Sequence, residues 1–151
     1  MRLYFSILVF STLACHTGQI SEASDNLPID SEEEAVLVVV HQFLAAGDAQ
    51  SSDQLESILH PTYRILINQF QGGPDVTILD RVTYLGMIEA KKIGGDPRKA
   101  EILSAEVVGN MAFVRARVES STLQFNTCYT LVQDTDQKWW LAAEAPFVQP
   151  L

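Results

Sequence analysis

At 151 residues the chain is long enough for one domain and too short for two. Its composition, 47% hydrophobic and 19% charged, suits a globular core. A formal net charge of -9 is repelled by phosphate backbones and anionic lipid surfaces, which argues against a nucleic-acid partner.

Met1-Arg2 precedes an apolar run from Leu3 to Ala14. At about 12 residues it is too short to cross ~30 Å of hydrocarbon, but it suits the h-region of a secretory signal. Two cleavage patterns compete. Thr12-Leu13-Ala14-Cys15 resembles a bacterial lipoprotein signal in which the cysteine carries the lipid, although Thr12 stands where Leu is preferred. Cleavage after Ala23, with small Ser21 two residues before it, gives plain secretion, and an uncleaved anchor is the third option. Residues 1–23 are thus expected to carry the signal and the start of a tether, 24–30 a linker, and 31–149 the folded domain. The expected location is the periplasm or cell envelope, with membrane contact only through a lipid on Cys15. Cys128 is then a lone thiol, expected to act as a small, partly buried hydrophobe.

Ser31 followed by Glu34 forms a capping box, and the acidic triplet Glu32-Glu33-Glu34 suits the positive end of a helix. That helix runs through Ala46, stops near Gly47-Asp48, and is apolar nearly all round, so it needs cover on most sides. Ser51 with Gln54 opens a short second helix with Leu55, Ile58 and Leu59 as its stripe, ended by Pro61. Tyr63 to Phe70 reads as a strand, broken by Gly72-Gly73-Pro74. Asp80 caps a third helix, carrying Tyr84, Met87 and Ile88 and ending at Gly94-Gly95.

A meander of strands follows. Gly109-Asn110 is a two-residue hairpin turn, which opposes Val108 to Met111, Val107 to Ala112, Ala105 to Val114 and Leu103 to Ala116. A two-residue Ser121-Thr122 loop opposes Val118 to Phe125, Ala116 to Thr127, Val114 to Tyr129 and Ala112 to Leu131. Slipping that turn by one residue would expose Phe125 and Leu131, at roughly 1.5–3 kcal/mol for each. The turn at Asp134-Thr135-Asp136 needs an odd-length loop to bring Trp139 and Leu141 beside Tyr129 and Leu131.

Helices, a strand, a third helix and a long antiparallel meander form the order of the nuclear-transport-factor-2-like superfamily. Four stretches carry the likeness: Leu59-His60-Pro61-Thr62-Tyr63-Arg64-Ile65, Val108–Val114, Phe125–Val132 and Lys138-Trp139-Trp140-Leu141. More narrowly the chain resembles the "Putative lumazine-binding" (SnoaL-like) family from about Glu32 to Phe147, with Gln137 standing where a Gly usually precedes the Lys-Trp. The resemblance implies an α+β fold, a cone-shaped curved antiparallel sheet whose concave side is covered by three helices. It also implies ligands between helices and sheet, and dimers through the convex side.

The register places on the concave face, strand by strand, the alternate residues from Leu103 to Val107, Ala112 to Val118, Phe125 to Leu131 and Trp139 to Ala143, with no ionisable group among them. Tyr63, Tyr84, Met87, Tyr129 and Trp139 are the candidate ligand-binding residues. Phe113, Arg115, Arg117 and Trp140, with Asn126, Cys128, Thr130 and Glu144, fall on the convex face, and the first four are the candidate homodimer interface. No His/Cys/Asp/Glu spacing matches a metal site, no Gly-rich loop suits a phosphate, and no cofactor or catalytic residue is assigned. The expected function is non-catalytic binding of a small apolar or aromatic ligand or a protein partner. The alternative is an isomerase or dehydratase on a small apolar substrate, using His41 or Tyr129.

Overall fold

The computed structural model describes residues 31–69 and 72–151, so the segment expected to carry a signal, Cys15 and Phe70 lie outside the described residues. The elements are α1 (Ser31–Asp48), α2 (Ser52–Ile58), β1 (Leu59–Asn68), β2 (Val76–Asp80), α3 (Arg81–Glu89), β3 (Lys99–Val108), β4 (Met111–Glu119), β5 (Leu123–Gln133) and β6 (Trp139–Pro150). The strands form one sheet in the order β2-β1-β6-β5-β4-β3. Neighbours are antiparallel except β1 and β6, which run parallel. The three helices pack on the sheet face that carries Val114, Tyr129 and Leu141, as the α+β expectation requires.

Val36, Val40, Phe43, Leu44 and Gly47 of α1 are buried, a stripe at helical spacing. Cover beyond that stripe is partial: Leu37 and Val39 pack partly against the core, but Val38, expected to need cover, is 47% exposed. α2 ends at Ile58, ahead of Pro61, and the chain passes directly into β1. Gly72-Gly73-Pro74 does more than break that strand. It turns the chain back so that β2, which the sequence pattern did not announce, pairs with β1 through Ile65↔Leu79 and Ile67↔Thr77. Asp80 caps α3 as expected, its Oδ1 accepting from the Thr83 amide at 2.8 Å. The helix ends at Glu89, short of Gly94-Gly95.

Gly94 has another task. Its φ is +75°, and a Cβ there would lie 2.3 Å from the Gly47 carbonyl oxygen. Gly95 donates its amide to that same oxygen at 3.2 Å. The segment leading into β3 therefore lies against the last turn of α1 at a distance only glycine allows.

The meander follows the expected register through both turns: Val107↔Ala112, Ala105↔Val114, Val118↔Phe125 and Val114↔Tyr129. It departs at two β-bulges, each an extra residue in one strand that reverses parity beyond it. In β3 the pairing jumps from Ser104↔Arg115 to Ile102↔Ala116. Leu103 is the extra residue and is 41% exposed, while half-buried Ile102 takes the inward place assigned to it. In β6 the pairing jumps from Leu131↔Leu141 to Thr130↔Ala143, leaving Ala142 as the extra residue. Leu141 does oppose Leu131 as expected, but Trp139 opposes Gln133 and Tyr129 opposes Glu144.

Candidate ligand site

The β6 bulge decides the chemistry of the interior. With Ala142 extra, Ala143 joins Thr130 on the convex side and Glu144 joins Tyr129 on the helix side. The expectation that Glu144 faces outward, and that no ionisable group lies beneath the helices, is corrected. One Glu144 oxygen accepts from the Tyr63 hydroxyl at 3.3 Å and the other from the Thr127 hydroxyl at 3.3 Å. Both bonds are longer than the 2.5–3.0 Å usual between oxygens, so the carboxylate is only loosely held.

Around this acid stands an aromatic cluster. Phe43 of α1 inserts among three tyrosines, its ring centroid 6.2 Å from Tyr63, 6.1 Å from Tyr84 and 5.9 Å from Tyr129. Tyr63 and Tyr84 are 5.6 Å apart. The hydroxyls of Tyr84 and Tyr129 make no hydrogen bond among the described residues. Among the described residues no fully buried side-chain polar atom lacks a partner, so both hydroxyls border accessible space. Glu144 too keeps part of its surface accessible.

A half-buried cation completes the arrangement. Arg98, just before β3, donates from Nε to Asp48 at 2.5 Å and from Nη2 to the Leu44 carbonyl at 2.9 Å. Asp48 also accepts the Arg98 amide at 3.0 Å. The guanidinium thus sits at the negative end of the α1 dipole. Its position explains Gly47: a Cβ there would lie 2.6 Å from Arg98 Nη2 and 3.8 Å from the Tyr84 hydroxyl.

These groups set one another's protonation. Burial raises the Glu144 carboxyl, and the Arg98 charge and its two hydroxyl partners offset part of that rise. Burial, then the Glu144 charge, pushes Tyr63 well above the ordinary phenol value. The same two causes raise Tyr84 and Tyr129, with Arg98 opposing. All three phenols therefore keep their protons and act as hydrogen-bond donors at neutral pH.

Because folding raises the Glu144 pKa, its native-state stabilisation by protonation is complete below the ordinary value of 4.5 and is lost as pH rises through the raised value. Glu144→Gln has no such loss. It is expected to melt above wild type at neutral pH by a few degrees, on the order of the shift one kcal/mol gives. The gap should close as pH falls toward the unfolded-state value. Thermal melts across pH check this; a gap that widens in acid contradicts an interior carboxylate.

Three of the five expected ligand residues, Tyr63, Tyr84 and Tyr129, are thus brought together. Met87 is half-buried on α3. Trp139 is buried but lines a separate open depression of about 460 Å³ with Val38, Gln42, Ser57 and Ile58. Phe113, Arg115 and Arg117 share the convex face, with Phe113 43% exposed and Arg117 paired to Glu101 at 2.9 Å. Trp140 is occupied within the chain: its Nε1 donates to Asp134 at 2.7 Å, Lys138 lies 3.4 Å over its ring, and His60 approaches edge-on. Cys128 is exposed on the convex side, not partly buried as expected, because its register partner is outward Arg115. His41 is exposed on α1, opposite the buried stripe, and has no place in the interior. Among the described residues no cluster of metal-ligating side chains occurs, and no helix is long and apolar enough to cross a membrane.

Sequence reasoning missed Glu144, Arg98, Asp48 and Phe43 as members of one site. Pro146, in the middle of a strand flanked on both sides, was the one local signal of irregularity in β6.

A sequence profile of the family described as "Putative lumazine-binding" matches residues 31–145. The chain belongs to this family. Its fold is that of the nuclear-transport-factor-2-like superfamily, as solved structures show. A protein of unknown function from Shewanella baltica superimposes with a TM-score of 0.68 at 18% identity, over 80% of this chain and 95% of that one. A ketosteroid isomerase-like protein from Erwinia carotovora atroseptica gives 0.63 at 10% identity, over 81% and 98%. The S. rosetta CaMKII hub gives 0.60 at 16% identity, over 78% and 96%. At these identities the likeness is one of fold. No curated protein matches the chain significantly.

Proposed function

We propose that this protein binds a small, flat, largely apolar molecule between the Phe43–Tyr63–Tyr84–Tyr129 cluster and Glu144, without transforming it. One observation carries the reading: in a largely apolar interior, two phenol hydroxyls stand unpartnered near a partly accessible acid. A few convergent polar groups on apolar walls are the usual make-up of a ligand site. The family's description supports a ligand of this size and shape.

Titration with lumazine, followed by tyrosine and tryptophan fluorescence, tests the reading. Saturable binding is expected. Tyr84→Phe and Tyr129→Phe should each weaken it by roughly 5- to 10-fold, the worth of one hydrogen bond. Unchanged fluorescence, together with native mass spectra that show only bare protein, would overturn it.

Glu144 itself favours a second reading, proton transfer. A carboxyl raised by burial is a suitable general base, and a ketosteroid isomerase-like protein shares the fold. With His41 at the surface, Glu144 takes the place expected of it. Binding is preferred because it requires only the groups described, whereas proton transfer also requires a substrate carbon acid placed against Glu144. The readings separate in Glu144→Gln: turnover disappears with affinity kept in the second, and affinity itself changes in the first.

A further inference from the structure

The charges of the site specify which edge its ligand presents. Asp48 and Arg98 are joined in one ion pair, their side chains 20% and 17% exposed, so Arg98 is shared and offsets only part of the cost of a charge on Glu144. Arg98 is further engaged by the Leu44 carbonyl. The phenols of Tyr63, Tyr84 and Tyr129 stay neutral. Among the groups facing the cluster, the Glu144 carboxyl is therefore left without an ion-pair partner of its own. Its two oxygens each accept a single long hydrogen bond, and a carboxylate offers about four acceptor positions. Roughly half its acceptor capacity is thus unused, in surroundings where an unmet charge is costly.

We propose that the ligand meets Glu144 through its own N–H donors: it is a nitrogen compound with an amidine-, amide- or imide-type edge, neutral or cationic, and not a carboxylate. The inference rests on the small-ligand reading and names the chemistry of the same site. Two parallel N–H groups would match the two carboxylate oxygens, the geometry in which charge-assisted hydrogen bonds are strongest. Tyr84 and Tyr129 then donate to acceptor atoms elsewhere on the ring. Binding of this kind holds Glu144 ionised, so affinity rises with pH through its titration.

Benzamidine, benzamide and benzoate carry one flat ring and differ only in that edge. Ligand-detected NMR on the whole protein at neutral pH should show benzamidine binding at least ~10-fold more tightly than benzoate, with benzamide between them. Glu144→Gln should remove most of that ratio, and in wild type benzamidine affinity should fall as the pH is lowered. The wild-type pH series needs no variant to fold. Benzoate binding as tightly as benzamidine, a smaller ratio, a ratio indifferent to Glu144→Gln, or affinity rising in acid overturns the inference while the small-ligand reading stands. So does lumazine saturation without binding of any benzene probe if its affinity is unchanged in Glu144→Gln; a loss of lumazine affinity there supports it. No saturable binding by these three or by lumazine overturns both.

Discussion

Phe43→Ala is expected to destabilise the protein by about 3–5 kcal/mol, a large part of the 5–15 kcal/mol that holds an ordinary domain together. Phe43 is 1% exposed and is the one side chain in ring contact with all three site tyrosines. Removing it costs the transfer energy of a large ring. It also leaves a cavity that cannot collapse easily, because Tyr63 and Tyr129 come from separate strands of a hydrogen-bonded sheet and Tyr84 from α3. Equilibrium urea unfolding measures the loss. A loss under about 1.5 kcal/mol would mean that the tyrosines do not depend on α1 for their packing. Phe43→Leu fills part of the space and should recover a substantial share.

Gly94→Ala is expected to rank second, at about 2–4 kcal/mol, from two separable causes. The first is the left-handed backbone, worth about 1–2 kcal/mol for a residue with a Cβ. The second is a collision of that Cβ with the Gly47 carbonyl oxygen at 2.3 Å, a backbone atom that cannot step aside. Gly109 separates the two. Its φ is +61° and nothing lies within 4 Å of its would-be Cβ, so Gly109→Ala should incur only the first cost. Chemical denaturation of both variants gives the difference. Equal losses would show that the approach of the β3 lead-in to α1 is not tight. Because Arg98 follows four residues later and is bound to Asp48 and Leu44, Gly94→Ala should also weaken ligand binding, which Gly109→Ala should leave alone.

Much of the fold was legible before any coordinates. The Gly109-Asn110 and Ser121-Thr122 turns set the pairing of β3 with β4 up to the bulge and of β4 with β5 correctly, because a two-residue turn fixes register and the alternation of Ala112, Val114, Ala116 and Val118 allows only one buried face. The Asp80 cap was legible for the same reason: its partner, Thr83, lies three residues away.

What the sequence determined by itself was local: turn type, helix starts, the parity of each regular strand, and the tyrosines as site candidates. Tertiary structure alone decided which groups meet. Ala142 is one of two equivalent alanines in Leu141-Ala142-Ala143-Glu144, and nothing in that string marks it as the extra residue. The bulge is selected by what lies on both sides of β6, where β1 and β5 must each keep their own buried residues in place. That choice carries Glu144 from the convex face into the aromatic cluster. Arg98 and Asp48 are 50 residues apart in the chain, and only the close passage of Gly94 over Gly47 brings them together. A carboxylate's depth and a cation's neighbour are sums over long-range packing, and no stretch of a few residues encodes them.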